Sequence, residues 1–158
     1  MYRNPITPQG YDTLFAELQH HKQVLRPDVV RAIEEARAHG DLSENADYDA
    51  AKDRQGYIEG RIQELERLVA SADIIDIAKV PRSSRAVFGT TVVLENPATG
   101  DKRTYRIVGE SESDVKDGRL SWKSPLAKAV IGRSEGDEVT VPAPGGNQVW
   151  EIVEVRYE

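Results

Sequence analysis

Residues 48–72, YDAAKDRQGYIEGRIQELERLVASA, decide the fold of the first half of the chain. Most of the side chains that form one face of this stretch are apolar, and their spacing alternates between three and four residues. They are Tyr48, Ala51, Gln55, Ile58, Ile62, Leu65, Val69 and Ala72. This is the period of a coiled-coil seam, and a helix of this kind cannot bury its apolar stripe alone. The stretch therefore predicts a long helix that packs against a second one.

The residues before it supply the partner. Thr7-Pro8 is typical of a helix start, with a hydroxyl cap followed by proline at the first helical position. An apolar stripe then runs through Leu14, Leu18, His21 and Leu25 and resumes, displaced, at Val29, Ile33 and Ala36. Between the two parts stands Pro27, which removes a helical hydrogen bond at a cost of about 3 kcal/mol. We expect a kink or short break near Arg26, and a left-handed cap at Gly40.

The connection between the two helices is short, from Gly40 to Asn45. A short connection makes an antiparallel hairpin the economical arrangement. With about 30 residues in each helix and a rise of 1.5 Å per residue, the hairpin would project roughly 45 Å.

The second half has a different composition, with short runs of Val, Thr, Gly and Pro. Strands are predicted at residues 91–94, 104–108, 138–141 and 149–157, and a short helix at residues 124–132. The predicted fold class is α+β, a helical hairpin followed by a small antiparallel sheet with one helix. The predicted domains are residues 1–78 and 87–158, joined by a linker at residues 79–86.

Composition narrows the possible functions. The 158 residues carry a formal net charge of −6, which argues against tight autonomous binding to duplex nucleic acid. Cysteine is absent, so disulfides and thiolate metal sites are excluded and a reducing cytoplasm is the expected compartment. No apolar run approaches the roughly 20 residues that a membrane-spanning helix needs.

The reversal of the hairpin is acidic. Asp41 and Glu44 stand three residues apart on the turn, so both carboxylates are expected to face outward. Turn formation and capping of the next helix would explain acidic and small polar residues here without any chemistry. Alternatively, Mg²⁺ in proteins is commonly held by one or two carboxylates together with water and substrate phosphates. The pair would be a weak magnesium site alone and a plausible half-site beside a partner that supplies the other ligands.

Four segments of the sequence, one at the hairpin tip and three in the second half, are similar to those of a known family. The hairpin tip reads GDLSENADYDAAK from residue 40, and the second half contains SPLAKAVIG from residue 124, EGDEVTVPAPGG from residue 135 and EIVEVRYE from residue 151. Over essentially its whole length the chain resembles the Gre family of transcript-cleavage factors, in particular its GreA-type members.

The resemblance implies a partner and a mechanism. Asp41 and Glu44 match the two acids that enter the secondary channel of bacterial RNA polymerase and help to hold a second Mg²⁺ there. The polymerase then hydrolyses its own backtracked RNA near the 3′ end, so the chain is a cofactor rather than an enzyme, and is expected to be a monomer. Ser43 stands at a variable position of the motif and is a candidate hydrogen-bond donor to phosphate or water. Asn45 and Tyr48 are expected to cap the second helix and to pack in the first seam layer.

Two basic residues are candidates for contacts with RNA. Arg37 and Lys52 are expected at similar height on opposite helices below the tip, where the resemblance implies contacts with extruded RNA phosphates. The alternative is a solvated face with ion pairs to Glu34 or Asp49, worth less than about 1 kcal/mol each. Since the hairpin lacks a large basic surface, the expected RNA fragments are short.

The second half resembles the FKBP-like domain that docks at the rim of the polymerase channel. Ser124, Pro125 and Leu126 are the candidate docking residues, and the competing interpretation is that they only cap and anchor the short helix. The resemblance does not imply prolyl isomerisation. The three histidines, at positions 20, 21 and 39, have no spacing typical of a zinc site.

Two other functions remain open from the sequence. A hairpin of this kind could enter the channel and inhibit or modulate the polymerase without stimulating hydrolysis. The presence of both acids, Asp41 and Glu44, argues against this function. The second half could also be a free-standing prolyl isomerase, which no sequence feature favours over docking.

Overall fold

In the computed structural model, residues 3–40 and 45–158 are described. The chain divides into a helical unit, Tyr11–Ala72, and a second unit made of Met1–Gly10 and Asp73–Glu158. The predicted boundaries, at residues 78 and 87, differ from these. The segment predicted as a linker, residues 79–86, belongs to the second unit.

Three α-helices form the hairpin. They are α1, Pro8–His20; α2, Arg26–Ala38; and α3, Ala46–Ser71. A π-helical turn, His21–Leu25, joins α1 to α2 without interruption, so the first arm is helical from Pro8 to Ala38. The second arm of the hairpin is α3, which packs on α2. The predicted helical hairpin is therefore confirmed.

A π turn is found in place of the kink or short break that was predicted near Arg26. Its last bond runs from the Arg26 N–H to the carbonyl of His21, five residues earlier. A π turn takes up one more residue than an α turn, and it places Pro27 near the start of the following helix, where a missing N–H costs little. The backbone thus remains helical while the apolar stripe is displaced, as the sequence pattern requires.

The seam positions are buried as their spacing predicts. On the first arm the buried side chains are Leu14, Leu18, Val29, Ile33 and Ala36. On the second arm they are Ala51, Ile58, Ile62 and Leu65, and the end positions of the stripe are half-buried.

The second unit contains a five-stranded sheet. The strands are β3, Thr91–Glu95; β4, Lys102–Val108; β5, Arg119–Ser121; β6, Glu138–Val141; and β7, Gln148–Arg156. Their order is β5-β4-β3-β7-β6, and a short helix, α4, Pro125–Val130, follows β5. A separate two-stranded sheet pairs β1, Asn4–Ile6, with β2, Ala72–Ile74. The α+β class is confirmed.

One strand pair departs from the predicted antiparallel sheet. β5 was not predicted, and it runs parallel to β4, with Ile107 opposite Leu120. Two strands joined by a tight turn must be antiparallel, whereas a longer connection can carry the chain back to the same end. Here two 3-10 turns, Glu110–Glu112 and Val115–Asp117, make that return. The other pairs of this sheet are antiparallel.

The core of the second unit lies on one face of this sheet. Its fully buried members include Leu94, Ile107 and Ile152 from the central strands, and Ala127 and Val130 from α4. Alternate residues of each strand contribute to it, as expected for a sheet with one packed face.

The predicted linker is tied to this unit by specific contacts. The hydroxyl of Tyr157 donates to the carbonyl of Arg85 at 2.6 Å and shares a hydrogen bond with the Ser83 hydroxyl at 2.9 Å. Ala86 is fully buried in the core. A sequence with one proline and two serines therefore forms an ordered approach to β3 rather than a free connection.

A carboxylate anchors the start of α1 within the second unit. The side chain of Glu112 accepts hydrogen bonds from the backbone N–H of Thr7 at 3.0 Å, from the Thr7 hydroxyl, and from the N–H of Gly109 at 2.8 Å. The Thr7 hydroxyl in turn accepts from the N–H of Gly10 at 3.1 Å, which confirms the predicted helix cap. Among residues 3–40 and 45–158, no helix is long and apolar enough to cross a membrane.

Candidate functional site

The candidate site lies where α2 ends and α3 begins. Asp41, Ser43 and Glu44, the predicted catalytic residues, fall outside the described residues. The structure describes the two helix ends that flank them in the sequence. On the α2 side the helix ends with the Gly40 N–H directed at the Arg37 carbonyl, at 3.4 Å. Gly40 has a φ of +118°, so the expected positive-φ glycine is confirmed there.

Asn45 begins the second helix and contacts the first. Its Oδ1 accepts a hydrogen bond from the N–H of Tyr48 at 3.0 Å, which satisfies one of the free donors at the start of α3. Its Nδ2 donates to the carbonyl of Ala36, on α2, at 2.6 Å. The cap was predicted. The bond to Ala36 was not, because sequence spacing does not indicate which carbonyl faces a capping side chain.

A second contact joins the same two helix ends. The guanidinium of Arg37 lies over the ring of Tyr48, 6.0 Å from its centroid, which is a cation–π distance. Tyr48 is half-buried, in agreement with its predicted place in the first seam layer. Arg37 is thus oriented by an aromatic ring instead of by the predicted alternative partners.

Lys52, the other candidate RNA contact, lies two turns into α3. Its ammonium donates to the side-chain oxygen of Gln55 at 3.1 Å, and both Lys52 and Arg37 are exposed. The predicted contacts with RNA are untested by this arrangement, which leaves both cations accessible from solvent.

Acidic and basic side chains both lie near the start of α3. The first turn of α3 contains two exposed acids, Asp47 and Asp49. An open groove of about 290 Å³ lies between α2 and α3 there. It is lined by Ala32, Glu35, Ala36, His39, Asp47, Ala50, Ala51 and Arg54. Four of these residues are alanines, which have small apolar side chains.

Two bidentate ion pairs hold the helices together farther from the reversal. Arg26 on α2 binds Glu59 on α3 through both nitrogens at 2.8 Å, and Arg61 on α3 binds Glu17 on α1 at 2.7 and 2.9 Å. The hydrogen bonds from these guanidinium groups lower the pKa of Glu59 and of Glu17 below the ordinary value of 4.5. Neither pair was predicted, since the partners are 33 and 44 residues apart in the sequence.

Within residues 3–40 and 45–158, no group of three or more His, Asp or Glu side chains is arranged to hold a metal ion. One histidine has a structural contact, because Nδ1 of His21 lies 2.9 Å from the carbonyl of Glu17.

The candidate docking residues surround the start of α4. The hydroxyl of Ser124 accepts from the N–H of Ala127 at 3.2 Å, Pro125 occupies the first turn, and Leu126 packs against the core. The capping and anchoring roles are therefore present. Pro125 is the exposed member of the three, so docking at this edge remains a prediction that depends mainly on its surface.

Comparison with known proteins places the chain in a family. A family model described as transcription elongation factor, N-terminal, matches residues 4–74, and one described as transcription elongation factor, GreA/GreB, C-term, matches residues 81–157. The transcription elongation factor GreA of Methylococcus capsulatus is 52% identical over 99% of both chains. The proteins of the same name from Polaromonas naphthalenivorans and Verminephrobacter eiseniae are 56% and 54% identical over 97% of both chains. Matches of this extent show that the chain belongs to the GreA/GreB family of transcription elongation factors.

Proposed function

We propose that this factor stimulates bacterial RNA polymerase to hydrolyse its own backtracked RNA, releasing short 3′ fragments and restoring an RNA end that can be extended. The hairpin enters the secondary channel of the polymerase, and the segment with Asp41, Ser43 and Glu44 reaches the catalytic centre. The chain is a cofactor that completes the polymerase active site, and it acts as a monomer in the cytoplasm.

One observation carries this proposal. A segment with two carboxylates connects the adjoining ends of two packed helices, at Ala38 and Ala46, and the second of these helices has 26 residues. At 1.5 Å per residue that helix is about 39 Å long. Two helices that pack on each other form a stiff support for the carboxylates in the connection between them. The similarity to relatives named transcription elongation factor GreA supports a transcribing polymerase as the partner.

Magnesium fits the chemistry of this donor set. Mg²⁺ is a hard cation that prefers oxygen ligands, retains several waters and takes one or two carboxylates together with phosphate oxygens. Asp41 and Glu44 would hold it jointly with groups of the polymerase. When bound there, the ion would lower the pKa of a water molecule and stabilise charge on the phosphodiester. The role of the chain is to bring its two carboxylates to that place and to hold them still.

The described residues near the reversal suit the approach of RNA. Arg37 and Lys52 are exposed cations on the two sides of the hairpin, and phosphate oxygens are the ligands that such side chains take. Arg37 loses little conformational freedom on binding because the Tyr48 ring already restricts it. We propose that these two cations contact the extruded 3′ segment, and that the exposed Pro125 edge contributes to docking at the channel rim.

The proposal is tested with stalled, backtracked polymerase that carries labelled RNA. Addition of the chain and Mg²⁺ should release a short labelled 3′ fragment. Asp41→Asn and Glu44→Gln should each abolish release while affinity for the polymerase is unchanged, because both variants remove a ligand charge and keep the side-chain size. Asp47→Asn is the matched control, since it removes an exposed acid of the same helix end. Wild-type cleavage by both tip variants would contradict the proposal. Slowed transcription without fragment release would instead favour a regulator of the channel.

A further inference from the structure

One side chain joins the two helix ends that flank residues 41–44 in the sequence. Asn45 Nδ2 donates to the carbonyl of Ala36 at 2.6 Å, nine residues earlier in the chain. Its Oδ1 simultaneously accepts the N–H of Tyr48 at 3.0 Å. A single planar amide thus joins the end of one helix to the start of the other.

The two contacts use both ends of the asparagine amide. The backbone N–H of Tyr48 needs an acceptor and the carbonyl of Ala36 needs a donor, and a side-chain amide presents both on one rigid planar group. Serine, threonine or aspartate would satisfy the cap, which is the ordinary reason for these residues at the start of a helix. Since an N-cap alone does not need the amide nitrogen, the bond to Ala36 points to an additional role for Asn45.

The acceptor is well placed for that role. Ala36 is buried, and its carbonyl also accepts the N–H of His39 at 3.2 Å in the last turn of α2. The two bonds use both lone pairs of this oxygen. The contact of Arg37 with the Tyr48 ring lies beside them and links the same two helix ends. Two neighbouring interactions, from Asn45 to Ala36 and from Arg37 to Tyr48, therefore hold together the end of α2 and the start of α3.

We infer that Asn45 is a positioning residue for RNA cleavage: its amide bridge to Ala36 sets the separation of the two helix ends between which Asp41 and Glu44 lie in the sequence. This inference rests on the proposed function. Joining the ends of a segment reduces the number of conformations that it can adopt, and that entropy is then not lost on binding. Displacement of a catalytic group by about 1 Å can cost as much as 100-fold in rate.

Two substitutions separate the bridge from the cap. Asn45→Asp keeps the size of the side chain and the acceptor for Tyr48, but it has no donor for the Ala36 carbonyl. Asn45→Ser also keeps a cap, is neutral, and is too short to span the two helices. We expect each variant to keep the helix content of the wild type and its affinity for polymerase, while the maximal rate of RNA cleavage at saturating factor falls about tenfold.

Asn96→Asp is the matched control. Asn96 makes a similar local contact, with its Oδ1 accepting from the N–H of Ala98 at 2.9 Å, but it lies in the turn between β3 and β4. The same change of amide to carboxylate there should leave the cleavage rate and the affinity unchanged.

A measurement independent of cleavage tests the closure itself. Because the chain has no cysteine, nitroxide labels can be attached specifically through His39→Cys and Asp47→Cys, two exposed positions that flank the bridge. The distance distribution between the labels should be narrow with Asn45 and broader with Asn45→Ser or Asn45→Asp.

The outcomes distinguish this inference from the proposed function. Absence of fragment release with the wild type would contradict the proposed function, while the label distances would still report on the bridge. Wild-type maximal rates in both Asn45 variants would overturn the positioning role. Reduced rates with unchanged label distances would also overturn it, because Asn45 would then act directly on polymerase or RNA.

Discussion

Two glycine-to-alanine substitutions in helices should change stability in opposite directions. Gly10 lies in the first turn of α1, and a methyl group there would overlap the carboxyl group of Glu112. That carboxylate accepts hydrogen bonds from the backbone and hydroxyl of Thr7 and from the N–H of Gly109. Gly60 lies within α3, where a methyl group would meet no atom within 4 Å.

The expected magnitude follows from these contacts. Gly10→Ala must displace the Glu112 carboxylate from Thr7. Loss of the two hydrogen bonds that Thr7 donates to this charged group costs about 3 kcal/mol. Replacement of glycine by alanine in a helix raises the free energy of unfolding by about 1 kcal/mol. The net loss is about 2 kcal/mol in the free energy of unfolding. Gly60→Ala keeps only the favourable contribution and should stabilise the helical unit by about 0.5 to 1 kcal/mol.

The assay can follow each unit separately. The chain has two tryptophans, Trp122 and Trp150, and both belong to the second unit, so their fluorescence during urea unfolding reports on the unit that contains Gly10. The circular dichroism signal of the helices reports on unfolding of the helical unit, which contains Gly60. A Gly10→Ala variant that is as stable as the wild type, or more stable, would refute the assignment of Glu112 as the anchor of α1.

Further results are expected from substitutions at Glu17, at Ser124 and Pro125, and at Arg37 together with Lys52. Glu17→Gln should lower the free energy of unfolding by less than about 1 kcal/mol at neutral pH, because the pair with Arg61 is partly exposed. The lowered pKa of Glu17 means that this contribution is present above its ordinary value of 4.5 and is lost as the pH falls through the lowered value, so acid unfolding curves of the variant and the wild type should converge at low pH. Ser124→Ala should lose about 1 kcal/mol by removing the α4 cap, measured by tryptophan fluorescence, whereas Pro125→Ala should keep stability and lower the affinity for polymerase if this edge docks. Replacement of both Arg37 and Lys52 by Gln should raise the concentration of factor needed for half-maximal cleavage and reduce its dependence on salt.

The helical hairpin could be predicted from the sequence because its apolar residues recur at regular spacings. The alternation of three- and four-residue spacings through Ile58, Ile62 and Leu65 indicates both a helix and the face that it buries, and those side chains are buried. Asn45 and Thr7 were recognised as caps because their residue types and positions are typical of helix starts.

Features that depend on long-range geometry could not be predicted. β5 has three residues and pairs in parallel with β4, a choice that depends on the path of the preceding turns rather than on local periodicity. The displaced stripe around Pro27 indicated an irregularity, but a π turn and a kink produce the same apolar spacing. Partners such as Glu112 for Thr7 lie 105 residues away in the chain, so a single sequence carries no signal for them.

The acidic pair, Asp41 and Glu44, was predicted from its place in the sequence and from the family resemblance. It was found because Asp41 and Glu44 lie in the connection of a hairpin, and the described helix ends agree with that location. What the sequence could not indicate is the bridge between Asn45 and Ala36, since the donor role of a capping amide depends on which carbonyl of the other helix faces it.

The central claim is that these two carboxylates become metal ligands only beside a second ligand set. Binding of Mn²⁺, which can replace Mg²⁺ at oxygen sites and is detected by electron paramagnetic resonance, should be measured for the factor alone, for the backtracked polymerase complex alone, and for the two together. We predict negligible tight binding to the factor, and an additional bound Mn²⁺ in the joint complex that is absent when Asp41→Asn and Glu44→Gln are combined. An additional ion that persists in the double variant, or equal binding with and without the factor, would contradict the claim.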